Sequence, residues 1–390
     1  MNFPTQLLKV SLSSTLFFAG VHMIVPELSA YLENLGGSHY KGLIMGFFFV
    51  GAAISRLLGG ALADTAGRLP VMIIASAVGV TVAIFYPLTM TVAFFFVIRF
   101  IHGFSMGLFP IGATAYVADV VPEGRIGESM GILGLFNNLG VVIGFITGPL
   151  IASWFSTTAM FYVAGALSAG ALLTLTRMRE SLKVPHRHEK RWFRMKRNDF
   201  YVPELLNPAG VLILSSFCFG TILTIIPDMS DHLGFAHRGV FLFAFFLCNM
   251  LVRVTAGKLS DQYGQLKVFN IGSIISLAGM LMLANNDQSR ALFMVSAVVL
   301  GAGLGICQPT LLAWTIKVSN KQALGKGLAT IFMAIQIGSG LGAFVSGWIY
   351  ANDMTRLPIV FYLCTVMLLV SMLYFVWLQT GVRQKADGQG

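Results

Sequence analysis

Apolar stretches of about twenty residues recur from one end of this 390-residue chain to the other. Each is long enough to cross the roughly 30 Å hydrocarbon layer of a bilayer as a helix. No water inside that layer satisfies backbone N–H and C=O groups, so such stretches fold as packed spanning helices. Composition agrees: 56% of residues are hydrophobic and 11% are charged. That is too little charge to cover a soluble protein of this length. The remaining polar sequence is too scarce for a separate soluble catalytic domain.

The apolar runs predict twelve spanning helices, at 8–31, 40–63, 69–88, 92–118, 128–152 and 157–176, then 209–231, 239–258, 267–284, 291–316, 328–350 and 358–378. They divide the chain into a six-helix bundle over 1–176, a basic linker over 177–208, a second bundle over 209–380 and a tail over 381–390. The first run lacks a small-residue cleavage site and is expected to be a retained span, not a signal peptide. Cys218, Cys248, Cys307 and Cys364 all sit inside apolar runs with no CxxC pair. Packed free thiols are therefore expected, with no metal site and no cofactor.

Lys and Arg fall unevenly between the two sides implied by the helix order. Nineteen lie on the side shared by the termini and the linker, and four on the other. This asymmetry predicts cytoplasmic termini, and a multi-pass protein of a bacterial cytoplasmic membrane is expected. The +10 net charge is mostly this bias, so the basic linker is expected to face lipid headgroups, not nucleic acid.

The two halves repeat. Val25-Pro26-Glu27-Leu28-Ser29 matches Ile226-Pro227-Asp228-Met229-Ser230 at an offset of 201. Arg56, Gly60, Leu62, Asp64 and Gly67 match Arg253, Gly257, Leu259, Asp261 and Gly264 at 197. Gly103 and Gly107 match Gly301 and Gly305 at 198. Gly127, Asn138, Gly140 and Gly144 match Gly325, Gln336, Gly338 and Gly342, again at 198. Six helices per half make the repeats parallel, and such halves are expected to enclose a site near the midplane.

The segment Gly60-Ala61-Leu62-Ala63-Asp64-Thr65-Ala66-Gly67-Arg68 resembles the cytoplasmic signature of the major facilitator superfamily. Its second copy, Gly257 to Gly264 with Asp261, is followed by Gln265 where a basic residue usually stands. Arg99, His102, Gly103 and Gly107 are similar to that superfamily's fourth-helix motif. Gly140, Gly144, Gly148 and Pro149 are similar to the fifth-helix motif of its exporters, with Leu135 and Ala152 replacing two of its glycines. The resemblance spans essentially the whole chain. It implies alternating access by two rocking bundles, a monomer, a conformational latch built from Gly60, Asp64, Gly67, Arg68, Arg125, Gly257, Asp261 and Gly264, and a role for Arg99 in substrate or proton handling.

The residues carry their own argument. Gly60 and Gly67 are expected to permit close backbone approach and a tight turn. The Gly140–Gly144–Gly148 stripe suits close helix packing, and Pro149 a kink. Arg56, Arg99 and Arg253 are the three cations left inside spans, where charges face an interior or a water-filled cavity. The span carboxylates, Glu27 and Asp228, lie near the far ends of helices 1 and 7. The interior thus carries excess positive charge, which predicts a small anionic or zwitterionic substrate. Arg56, Arg99, Arg253, Asn138 and Gln336 are the candidate contacts. His22, His102, Glu27 and Asp228 are the candidate carriers of a coupling proton. The leading reading is a proton-coupled exporter of a carboxylate metabolite or metallophore. The alternatives are a multidrug exporter of lipophilic compounds and a receptor on the same scaffold. No HExxH motif, midplane carboxylate pair or Ser/Lys dyad points to an enzyme.

Overall fold

The computed structural model describes residues 3–122, 125–182, 205–318 and 324–387. Twelve long helices run through them: α1 (Phe3–Met23), α2 (Lys41–Thr65), α3 (Arg68–Phe85), α4 (Val92–Val120), α5 (Ile126–Trp154), α6 (Thr157–Thr176), α7 (Leu206–His232), α8 (Val240–Tyr263), α9 (Gln265–Ala284), α10 (Arg290–Val318), α11 (Leu324–Tyr350) and α12 (Leu357–Asp387). Eleven are long and apolar enough to cross a membrane, and α8 carries a shorter apolar stretch at Val240–Arg253. The protein is an all-α, multi-pass integral membrane protein. Linker residues 183–204, the surroundings of Gly257 and the side chain of Asp261 lie outside the described residues.

Local chemistry sets the helix ends. The Thr91 hydroxyl accepts from the Phe94 amide at the start of α4, and the Ser289 hydroxyl from the Leu292 amide at the start of α10. These caps are repeat partners 198 residues apart, and each satisfies an otherwise orphan N–H. Gly67 (φ +117°) and Gly264 (φ +85°) turn the chain from α2 into α3 and from α8 into α9. Both conformations strain any side chain, which accounts for glycine at matched positions.

The prolines at matched positions behave differently. Around Pro26 the predicted single helix breaks into a 3-10 turn at Val25–Glu27 and a short helix at Leu28–Asn34. Its partner Pro227 stays inside α7. A missing N–H permits either outcome, and the surrounding packing decides.

The chain packs as two compact units. The first holds α1–α6 together with Ser230–Phe243, and the second holds Lys196–Met229 and Ala244–Gly390. Each uses the same device. In the first unit, a Cβ on Gly140, Gly144 or Gly148 would strike the Thr15, Ala19 or Met23 carbonyl oxygen of α1, and one on Gly103 would strike the Phe48 oxygen of α2. In the second, Gly338 and Gly342 lie on the Ile213 and Phe217 carbonyls of α7, and Gly301 on the Phe245 carbonyl of α8. Backbone-to-backbone approach of this kind drives association where lipid removes the hydrophobic incentive.

Candidate functional site

The turn between α2 and α3 gathers four charged side chains. Arg68 donates to the Asp64 carboxylate at 2.6 Å, to Asp119 at 3.1 Å and to the Ala63 carbonyl at 2.6 Å. The Glu180 carboxylate accepts from the Arg68 and Leu69 amides at 3.0 and 2.9 Å, capping the positive end of α3. Ser181 ties the two acids together by donating to Asp119 at 2.8 Å. Gly67 is required by its φ, and a Cβ there would also meet the movable tip of Glu180, with Oε2 at 2.6 Å.

Gly60 departs from expectation: nothing lies within 4 Å of a Cβ added there, so no close approach explains it. Arg125 pairs with Glu128 at 3.2 Å, one helical turn away and well exposed. Asp119 and Glu180 were not legible in the sequence, since pairings 51 and 112 residues distant leave no spacing signal. Glu180→Ala is expected to loosen the first turn of α3 by about 1 kcal/mol. Hydrogen exchange at the Arg68 and Leu69 amides should rise several-fold, and unchanged exchange would contradict the cap.

Deeper in the first unit, Arg99 of α4 is fully buried. It donates to the Ile44 carbonyl (3.2 Å), the Tyr86 hydroxyl (3.3 Å) and Met45 Sδ (3.2 Å), and its guanidinium lies 4.6 Å from the Phe48 ring centre. His102 Nδ1 shares the Tyr86 hydroxyl at 3.3 Å, so the two α4 residues do meet through one phenol. Among the described residues no carboxylate lies within 4.0 Å of Arg99. The ring of His22 stays on its own helix, with Nδ1 2.9 Å from the Phe18 oxygen and the Phe145 ring 5.3 Å away.

The two span carboxylates have different partners. Glu27 lies 3.6 Å from Arg238, which also donates to Asp231 at 2.9 Å. Beside them, Gly239 sits against the Phe145 carbonyl and Pro149 of α5. Asp228, in the second unit, accepts from the Tyr350 hydroxyl at 3.2 Å. Arg253 of α8 donates to Gln308 Oε1 of α10 at 3.3 Å. Asn138 bonds the Gly134 carbonyl of its own helix, Gln336 is buried in α11, and Arg56 is half-buried in α2. Among the described residues no three His, Cys, Asp or Glu side chains converge on a metal position.

Two units with matched glycine turns and sparse internal cations agree with a family model described as Major Facilitator Superfamily, which matches residues 10–241 and again 209–389. The chain belongs to the Major Facilitator Superfamily. This facilitator is therefore a membrane transporter and not an enzyme. It is 27% identical over 347 residues to the multi-drug resistance efflux pump PmrA of Streptococcus pneumoniae, covering 84% of each chain. It is 22% identical over 384 residues to the staphylopine export protein of Staphylococcus aureus, covering 94% of each. Among solved structures it resembles a D-xylose–proton symporter (TM-score 0.79, 16% identity, 96% and 97% covered) and the human organic anion transporter MFSD10 (TM-score 0.74, 16% identity, 96% and 99% covered). These last two likenesses speak for the fold.

Proposed function

We propose that this facilitator exports a small organic anion or zwitterion in exchange for protons, by alternating access. The observation carrying the reading is the internal charge balance. Arg99 and Arg253 sit within spans and, among the described residues, have only uncharged partners. The span carboxylates are engaged elsewhere, Glu27 by Arg238 and Asp228 by Tyr350. Cations held inside a membrane by uncharged partners favour an anionic group over a cationic one. The export direction is supported by likeness to proteins named as efflux pumps and as an export protein.

Within this reading Arg99 is a brace, since its guanidinium is enclosed by α2, Tyr86 and Phe48. Arg56, Arg253, Asn138 and Gln336 remain the residues proposed to meet substrate. Glu27 is the proposed proton carrier. Protonation would weaken its hold on Arg238, and re-ionisation would restore it, so proton movement and the position of the Ser230–Phe243 segment would be linked. Glu27→Gln is expected to keep downhill solute movement while abolishing accumulation driven by a pH gradient. Wild-type accumulation by that variant would move the role to Asp228, His22 or His102.

A second reading, efflux of lipophilic compounds of any charge, draws on the likeness to PmrA and to multidrug resistance protein 1 of Bacillus subtilis. Transport of an uncharged or cationic dye at the rate of its acidic analogue would favour it.

A further inference from the structure

The second unit holds a group of polar side chains that the repeat does not explain. Arg253 has a counterpart in the first unit, Arg56. Its neighbours do not. Asn249, one helical turn before Arg253 on α8, corresponds to Ala52 at the offset of 197. Gln308 on α10 corresponds to Pro110 at 198. The structure supports this register: Gly305 lies against Asn249 as its partner Gly107 lies against Ala52 and Ser55. Architecture shared by both halves therefore needs neither amide.

The local geometry makes the group an incomplete acceptor set. Arg253 donates one N–H to Gln308 Oε1 at 3.3 Å. Among the described residues no carboxylate approaches within 4.0 Å. Pro309, next to Gln308 inside α10, has no N–H for the Gly305 carbonyl one turn earlier. Asn249 is buried, with Nδ2 beside Gly305. A guanidinium offers five N–H donors in a fork that matches a carboxylate, and a single amide oxygen uses little of it. Both residues are half-buried.

We infer that Asn249, Arg253 and Gln308 form a carboxylate-recognition site in the second unit, with Arg253 binding the acid and Gln308 orienting the guanidinium. The inference rests on the anion-export reading and assigns its recognition chemistry to one unit. Gln308 is then a specificity-determining residue, since a glutamate there would occupy the fork itself.

Binding to the purified full-length protein in detergent, measured by fluorescence anisotropy, tests this with rhodamine B and its ethyl ester. The two dyes differ in one carboxylate. The wild type should bind the acid more tightly. Arg253→Gln and Gln308→Glu should each weaken acid binding about tenfold or more, the loss typical of a charge-assisted hydrogen bond, and leave binding of the cationic ester undiminished. Retained ester binding shows that each variant is folded. Acid preference that survives both substitutions overturns the site and spares the anion-export reading. A wild type that prefers the ester, or binds neither dye, overturns that reading and the site with it.

Discussion

Gly144→Val is expected to leave little folded protein. The first carbon of the new side chain would stand 2.6 Å from the Ala19 oxygen and 2.8 Å from the Met23 nitrogen, both backbone atoms of α1. Backbone cannot rotate out of the way as a side-chain tip can, so α1 and α5 must separate. Overpacking typically costs about 1–3 kcal/mol and sometimes more, and here the obstacle is rigid. Gly140 and Gly148 meet α1 above and below, so separation at one step disturbs all three. The check is the monodisperse fraction in detergent size exclusion together with the thermal midpoint. Gly131→Ala and Gly134→Ala provide the control on the same helix, since nothing lies within 4 Å of either position. Those two should be neutral or gain about 0.5–1 kcal/mol from helix propensity. A wild-type midpoint for Gly144→Val would refute the packing account of the stripe.

Arg68→Ala is expected to cut transport by more than about tenfold while the protein stays folded. Its guanidinium holds Asp64, Asp119 and the Ala63 carbonyl together, and charge-assisted bonds contribute about 1.5–3 kcal/mol each where solvent is limited, the exposed Asp64 bond contributing less. If the cluster forms in only one of the states visited during transport, losing it shifts their ratio by about tenfold per 1.4 kcal/mol. Asp64→Asn should do less. That carboxylate is 71% exposed, and an exposed pair contributes about 0.2–1 kcal/mol, or up to roughly fivefold. Initial rates in proteoliposomes, normalised to reconstituted protein, separate the two variants. Equal, wild-type rates in both would remove the latch.

The architecture was largely written in the apolar pattern. The predicted span 157–176 coincides with α6 (Thr157–Thr176), and most other ends fall within about five residues, because span length is set by bilayer thickness. The matched glycines at Gly67 and Gly264 both sit in turns, and the α5 glycines lie against α1 as the α11 glycines lie against α7. Three things were hidden. The break at Pro26 depends on neighbours, as the intact helix at Pro227 attests. α12 runs on to Asp387, past the apolar limit at 378, because polar residues end a hydropathy signal without ending a helix. The partners of the candidate charges, namely Asp119, Glu180, Tyr86, Arg238 and Gln308, come from distant sequence, where only tertiary packing joins them. Arg99 and His102 were legible as a pair because one helical turn connects them. The phenol that links them was not.

Purified protein in proteoliposomes, supplied with rhodamine B under an imposed pH gradient, tests the central claim most directly. Proton-coupled export of an organic anion predicts accumulation of the acid against its own concentration gradient, collapse on adding a protonophore, and much slower movement of the ethyl ester. Dye movement that ignores the pH gradient, or that is equal for acid and ester, would contradict it.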